Sequence, residues 1–142
     1  TTEIYTLSLH DALPIYDKEG LFPHLKRVNG VRQFSESEIE TLRVIDCLKR
    51  SGLEIKDIKE YMVLCSLGNT TLKQRKEIFE KQKEEVLQEM EKLQKVLSML
   101  NYKCWYYDQA IEKNDETYVQ ALSFNQLPPQ IQQYYKHSHE DC

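Results

Sequence analysis

The residues of this chain that are best suited to bind an anion lie in one short basic segment. Between His24 and Gln33 the lysines and arginines are Lys26, Arg27 and Arg32, and no acid lies among them. Cations that project from a hairpin about a phosphate spacing apart can neutralise a nucleic-acid backbone. Because the whole chain carries a net charge of −4, such binding must come from this local patch. A solvated hairpin without a ligand is the alternative.

The thiols form a second group of reactive side chains. The chain has four widely spaced cysteines, Cys47, Cys65, Cys104 and Cys142. We expect reduced thiols, because a helical chain without a secretory signal is not typical of a disulfide framework. Cys47 lies close in sequence to Lys49 and Arg50, and nearby cations favour the reactive thiolate. Cys47 is therefore a candidate for modification and Cys65 a second one, whereas a small buried core residue is the alternative for Cys47.

Aromatic side chains are concentrated at one further place, and they comprise Tyr102, Trp105, Tyr106 and Tyr107. Their ring faces could line a pocket for a hydrophobic cation. Packing at the end of a helix is the alternative.

The chain offers little for metal or catalytic chemistry. His137, His139 and Cys142 lie within six residues, but they form a weak ligand set, and we predict no metal site and no cofactor. The sequence has no glycine-rich phosphate loop and no histidine placed with a nucleophile in a known motif. We therefore predict that the protein is not an enzyme.

Short local signals define the elements that would carry these residues. Asn29-Gly30 between two extended segments predicts a β-hairpin. Ser35 with Glu38 three residues later predicts a helix start, and Gly52 would end that helix. Its predicted inner stripe is Ile39, Leu42, Val44, Ile45 and Leu48. A second helix is expected over Ile55–Cys65. A basic hairpin beside short helices is typical of a winged DNA-binding domain.

A long helix follows, because Thr71 to Glu112 contains neither proline nor glycine. The residues that recur there every seven positions are Leu72, Phe79, Val86, Leu93 and Leu100, with Met90, Leu97 and Cys104 as a second row. We call these eight residues the heptad seam. Such a helix would be about 60 Å long, and its seam predicts pairing with a second copy. The alternative is a helix that packs against its own C-terminal tail. In that tail we expect Pro128-Pro129 to separate short helices, and we expect the last six residues to be frayed.

The first fifteen residues differ from the remainder. They contain no lysine or arginine, and Pro14 should disrupt a helix that runs into Tyr16. Residues 6–15 resemble the translation of a sequencing adapter, so we interpret 1–15 as non-native. A divergent natural N-terminus packed on the wing is the alternative. With no secretory signal and no apolar run of about 20 residues, we expect a cytoplasmic protein without membrane contact.

The segment from Tyr16 to Tyr107 resembles the MerR family of bacterial transcription regulators. The resemblance is carried by Glu19-Gly20-Leu21-Phe22-Pro23, by Lys26-Arg27, by Gly30-Val31-Arg32-Gln33-Phe34 with the Ser35 cap, and by Leu42 to Ile58. The family pattern has tyrosines where this chain has Val31 and Phe34. It also has Arg-Tyr where this chain has Pro14-Ile15, and the family's first helix and most of its recognition helix are not evident.

The resemblance implies a mainly α-helical fold, an incomplete winged helix-turn-helix followed by a dimerisation coiled coil. The implied domains are a partial DNA-binding domain at 16–66, the dimerisation helix at 71–113 and a C-terminal effector or tail region at 114–142. Tyr16, Arg27 and Arg32, with Lys26, would contact phosphates.

The resemblance also implies a homodimer that acts on promoter DNA and RNA polymerase. The sequence around Cys47 and the segment Tyr102–Glu112 resemble an aldehyde- or electrophile-responsive subgroup, in which the cysteine would be the switch. A regulator that binds a small apolar ligand at the aromatic residues, and a dimerisation fragment without DNA binding, are the alternatives.

Overall fold

Helices dominate the computed structural model, which describes residues 13–139. The helices are α1 (13–18), α2 (Glu36–Arg50), α3 (Ile55–Ser66), α4 (Leu72–Lys113), α5 (Glu116–Gln120) and α6 (Pro129–His139), and the strands are β1 (Lys26–Val28) and β2 (Val31–Gln33). Short 3₁₀ turns span Gly68–Thr71 and Phe124–Gln126. The predicted fold class, mainly helical with a two-stranded wing and a long helix, is confirmed. Predictions for residues 1–12 and for Cys142 lie outside the described residues.

The hairpin forms as its central pair predicts. Asn29 and Gly30 have φ angles of 50° and 78°, the left-handed values that a two-residue hairpin turn needs and that this pair tolerates. The strands pair antiparallel, with Arg27 directly opposite Arg32. We refer to β1, the turn and β2 as the wing.

Helix α2 begins where its cap predicts, and its buried stripe is narrower than expected. The Ser35 backbone N–H donates to Glu38 Oε2 at 2.8 Å. Ile45 and Leu48 are buried. Ile39 and Val44 are 42% and 45% exposed, so their assignment to the inner face was wrong. Successive helical residues are about 100° apart, and Val44 therefore points well away from the face that Ile45 occupies.

The chain divides into two compact units within α4, between Glu84 and Glu85. The core of the first unit contains Leu13, Tyr16, Leu21, Phe22, Ile45, Leu48, Leu53 and Ile58. Phe34, at the end of the wing, meets the Phe22 ring edge-on with centroids 5.6 Å apart. The wing is thereby anchored to the core by an apolar contact that needs no tyrosine hydroxyl.

Helix α1 corrects the prediction for Pro14, which lies within the helical residues 13–18. A proline is tolerated in the first turn of a helix, and the hydrogen bonds that close the end of α1 use later donors. Glu19 N donates to Ile15 O at 2.9 Å, and Leu21 N donates to Tyr16 O at 3.0 Å. Leu13 is buried in the core. The non-native interpretation of residues 1–15 stays a prediction.

The turn between α2 and α3 is joined to α4 by a hydrogen bond from the side-chain amide of Gln82. Gln82 Nε2 donates to Ser51 O at 2.8 Å, and the next residue, Gly52, has a φ of +92°. A Cβ on Gly52 would lie 2.7 Å from Gln82 Nε2. Glycine is therefore favoured here by its backbone conformation, whereas the Gln82 side chain could move away from a Cβ.

The second unit contains the remainder of α4 with α5 and α6. Its buried apolar residues are Val119, Leu127 and Ile131. Ser98 on α4 is 2% exposed, and its Oγ lies 2.8 Å from Nδ1 of His137 on α6. The predicted break at the proline pair is confirmed, because α6 begins at Pro129. The predicted fraying of the tail is wrong for His137 to His139, which are helical.

The heptad seam is only partly covered by the described parts of the single chain, as where the Phe79 ring meets Tyr61 of α3 with centroids 5.2 Å apart. Its leading row, Leu72, Phe79, Val86, Leu93 and Leu100, is 56%, 39%, 44%, 59% and 49% exposed. Met90 and Leu97 are 59% and 49% exposed. Helix α6 packs instead on the side of α4 that carries Ser98. Among the described residues, no helix is both long and apolar enough to cross a membrane.

Candidate nucleic-acid interface

The two wing arginines are joined to α1 through one carboxylate. Arg27 Nη2 donates to Asp17 Oδ2 at 2.6 Å, and Arg32 Nε donates to the same oxygen at 2.7 Å. The side chains of Arg27, Arg32 and Asp17 are 53%, 32% and 14% exposed. We call this arrangement the Asp17 bridge. It holds both guanidinium groups together while leaving them more accessible than their carboxylate.

The strand register explains why such a bridge is needed. Directly opposed like charges destabilise an antiparallel pair, and Arg27 lies opposite Arg32. The negative charge of Asp17 compensates for their repulsion. The hydrogen bond from Arg32, together with that from Arg27, holds the pKa of the Asp17 carboxyl below its usual range, although desolvation opposes this shift.

The other predicted phosphate contacts lie in different environments. Lys26 is exposed on β1 and directly precedes Arg27 in the sequence. Tyr16 is only 8% exposed and belongs to the core of the first unit. Burial, with the charge of Asp46, raises the pKa of the Tyr16 phenol. The phosphate contacts of Lys26, Tyr16 and the two arginines stay predictions, and for Tyr16 only a small part of the side chain could reach a ligand.

Cys47 is exposed on α2, so the alternative that it is a buried core residue is wrong for the single chain. Beside it, Arg50 Nη2 forms an ion pair with Asp46 Oδ2 at 2.8 Å. One of the two cations expected to influence the thiol is therefore engaged by a carboxylate. The sensing role of Cys47 stays a prediction. Its exposure leaves the thiol accessible to small electrophiles.

Cys65 has a more defined polar environment. It is exposed at the end of α3, and Arg75 Nη1 on α4 lies 3.8 Å from its Sγ. Arg75 Nη2 also donates to Gly68 O at 2.9 Å. A hydrogen bond with Cys65, together with burial, raises the pKa of the Tyr61 phenol. The sensing role of Cys65 also stays a prediction.

The aromatic residues at the end of α4 pack mainly against each other and against α6. The Tyr102 ring lies 6.2 Å from Trp105, 6.4 Å from Tyr106 and 5.3 Å from Tyr135. The Tyr106 hydroxyl donates to Glu116 Oε1 at 2.9 Å. These contacts agree with the packing alternative. A ligand pocket at Tyr102, Trp105, Tyr106 and Tyr107 stays a prediction.

The two C-terminal histidines face different partners. His137 meets Ser98, and His139 stacks on Tyr135 with ring centroids 4.2 Å apart. Over residues 13–139, no group of three or more His, Cys, Asp or Glu side chains is arranged to hold a metal ion.

Asp17 is the site residue that the sequence analysis missed. It is separated from Arg27 and Arg32 by 10 and 15 residues, and only the fold brings them together. The available signal was the opposed arginine pair, since a nearby acid would stabilise two facing cations on a hairpin. Asp17 is one of two acids, with Glu19, in the stretch from Tyr16 to Gly20 just before the wing.

Comparisons with known proteins show the family of the chain. The MerR HTH family regulatory protein model matches residues 10–64, and the "MerR, DNA binding" model matches residues 39–102. An uncharacterised HTH-type transcriptional regulator of Haemophilus influenzae is 33% identical over 82% of this chain and 84% of its own length. The regulator AdhR of Bacillus subtilis is 31% identical over 54% of this chain and 55% of its own length.

One solved structure is similar as well. It is described as HiNmlR, a MerR family regulator lacking the sensor domain, bound to promoter DNA. It has 33% sequence identity and a TM-score of 0.54, and the similarity covers 78% of this chain and 86% of that one. With its two-stranded wing, short helices and long α4, the chain belongs to the MerR family of helix-turn-helix transcriptional regulators.

Proposed function

We propose that this protein binds double-stranded promoter DNA as a homodimer and regulates transcription by RNA polymerase in the bacterial cytoplasm. The observation that carries the proposal is the Asp17 bridge, which holds Arg27 and Arg32 side by side on a projecting wing. Arginine presents planar, charged donors that suit phosphate oxygens. The promoter DNA bound by HiNmlR supports the same class of ligand here.

The wing is tested by DNA binding over a range of salt concentrations. The probe is a fluorescein-labelled DNA duplex of mixed sequence, because phosphate contacts dominate non-specific affinity and do not require a known operator. The Arg27→Ala/Arg32→Ala variant should bind more weakly. Because it removes four cations from a dimer with two wings on the duplex, its plot of log K against log salt should be shallower by about 4. Lys92→Ala, which removes a cation from the second unit, should bind like the wild type. Wild-type protein without salt-dependent binding would leave a dimerisation module without DNA function.

The homodimer is supported by the heptad seam. Apolar side chains recur every seven residues along α4, and they are about 40–60% exposed in the single chain. Such a row is stabilised when it packs into the facing row of another helix. The second copy would also supply a second wing, and two wings on one duplex bind more tightly than one.

We further propose that modification of Cys47 regulates DNA binding. The support is its exposure on α2, in the same unit as the wing. N-ethylmaleimide, which alkylates accessible thiols, should change the DNA affinity of the wild type and of Cys65→Ser, but not that of Cys47→Ser. A response that persists in Cys47→Ser would exclude this switch, and its loss in Cys65→Ser instead would transfer the role to the thiol beside Arg75.

A further inference from the structure

We propose that Asp17 is the residue that positions the wing arginines for phosphate binding. This inference rests on the proposed DNA binding and assigns the carboxylate a specific part in it. Asp17 would not contact the ligand itself. It would fix the places of the two guanidinium groups that do.

The hydrogen bonds leave most arginine donors available to a ligand. An arginine side chain has five N–H donors, and the bonds to Asp17 engage one nitrogen of each residue, Nη2 of Arg27 and Nε of Arg32. Because Arg32 bonds to Asp17 through Nε, the donors on its two terminal nitrogens are not used by that hydrogen bond. Both arginines can therefore remain bonded to Asp17 and donate to phosphate oxygens.

Exposure indicates on which side a phosphate would approach. Asp17 is 14% exposed, whereas Arg32 and Arg27 are 32% and 53% exposed. A ligand from solvent meets the cations before it meets the carboxylate. Asp17 thus supports the arginines from the protein side, and it does not occupy the place of the phosphate.

Without this carboxylate, the pair would lose its geometry. Arg27 and Arg32 are direct cross-strand neighbours, and their like charges would drive the flexible side chains apart. Each arginine would then have to lose its rotamer freedom when DNA binds. By holding the side chains beforehand, Asp17 reduces this entropic cost at the moment of binding.

The test compares Asp17→Asn with the wild type in the salt-dependent assay with the labelled mixed-sequence duplex. Glu40→Gln is the matched control, because it neutralises a carboxylate that forms an ion pair with an arginine outside the wing, Arg43. We expect Asp17→Asn to bind several-fold more weakly, with a slope shallower by about 1 to 2. Asp17→Glu should recover part of the affinity, and Glu40→Gln should resemble the wild type.

A second variant keeps the inference testable if Asp17→Asn does not fold, which its circular dichroism melting curve would show. Arg32→Lys retains the positive charge, but its single ammonium group cannot bond to Asp17 and also present two separate nitrogens to a phosphate. A positioning role predicts weaker binding and a shallower slope for this variant as well. Wild-type behaviour of Arg32→Lys would mean that charge alone matters, and the inference would be wrong.

Other outcomes separate this inference from the proposed function. Tighter binding by Asp17→Asn with a steeper slope would show that the carboxylate competes with DNA, and unchanged binding would show no role. Either result, with weaker binding by the Arg27→Ala/Arg32→Ala variant, refutes only the positioning role. If the double variant itself binds like the wild type, the wing does not contact DNA and the positioning role fails with it, whereas the proposed function fails only if the wild type shows no salt-dependent binding.

Discussion

Replacing one leucine of the heptad seam should weaken the homodimer by an amount that the exposed surface predicts. Leu97 is 49% exposed in the single chain. Complete burial of a leucine side chain contributes about 1.5–3 kcal/mol, so covering the exposed half contributes about 1 kcal/mol per chain. Leu97→Ala should therefore cost about 2 kcal/mol per dimer, which raises the dimer dissociation constant about thirtyfold.

Sedimentation velocity over a concentration series measures this constant. Alanine is the strongest helix former, so α4 should keep its helicity, and a weaker dimer would not reflect a melted helix. Lys92→Ala, on the same helix outside the seam, is the control and should dimerise like the wild type. A Leu97→Ala constant within about threefold of the wild-type value, or a wild type that remains monomeric at all concentrations, would refute the assignment of the seam.

Three further changes test other parts of the fold. Gly52→Ala should lower the free energy of unfolding by about 1–2 kcal/mol, because its φ is positive and because Gln82 must move away from the new Cβ and give up its hydrogen bond to Ser51 O. Thermal melts measure this loss, and a melting temperature equal to that of the wild type would contradict it. Ser98→Ala should cost about 1 kcal/mol, because it removes a hydrogen bond partner of His137, and a melting temperature equal to that of the wild type would contradict this. The pKa of the Asp17 carboxyl is lowered in the folded protein, so its contribution to stability is fully present above about pH 4 and is lost as the pH falls through the lower folded-state pKa. The difference in melting temperature between wild type and Asp17→Asn should accordingly be constant at neutral pH and shrink in acid, and a difference that grows in acid would have the wrong sign.

The parts of the fold that depend on neighbouring residues could be predicted from the sequence. Asn29-Gly30 specified the wing turn, and Ser35 with Glu38 specified the start of α2, because these signals act over three or four residues. The seven-residue period of α4 specified both the helix and its apolar row. Each of these signals connects residues that are no more than seven positions apart in the sequence.

The parts that depend on tertiary contacts could not be predicted. The Asp17 bridge joins residues 10 and 15 positions apart, and the hydrogen bond of His137 joins it to a serine 39 positions away. Tyr16 stays a predicted phosphate contact, but its burial at 8% exposure could not be predicted from the sequence. Burial depends on which helices surround a residue, and a local pattern does not contain that information.

The shared oxygen of the Asp17 bridge has a consequence for how the family could diverge. Loss of Asp17 leaves two facing cations without a negative charge between them. Loss of one arginine leaves an ion pair in which Asp17 still neutralises the other arginine. We therefore expect substitutions to accumulate in a fixed order among relatives, with an arginine replaced before the acid. The three positions should co-vary as one evolutionary unit, although the chain separates the acid from the wing.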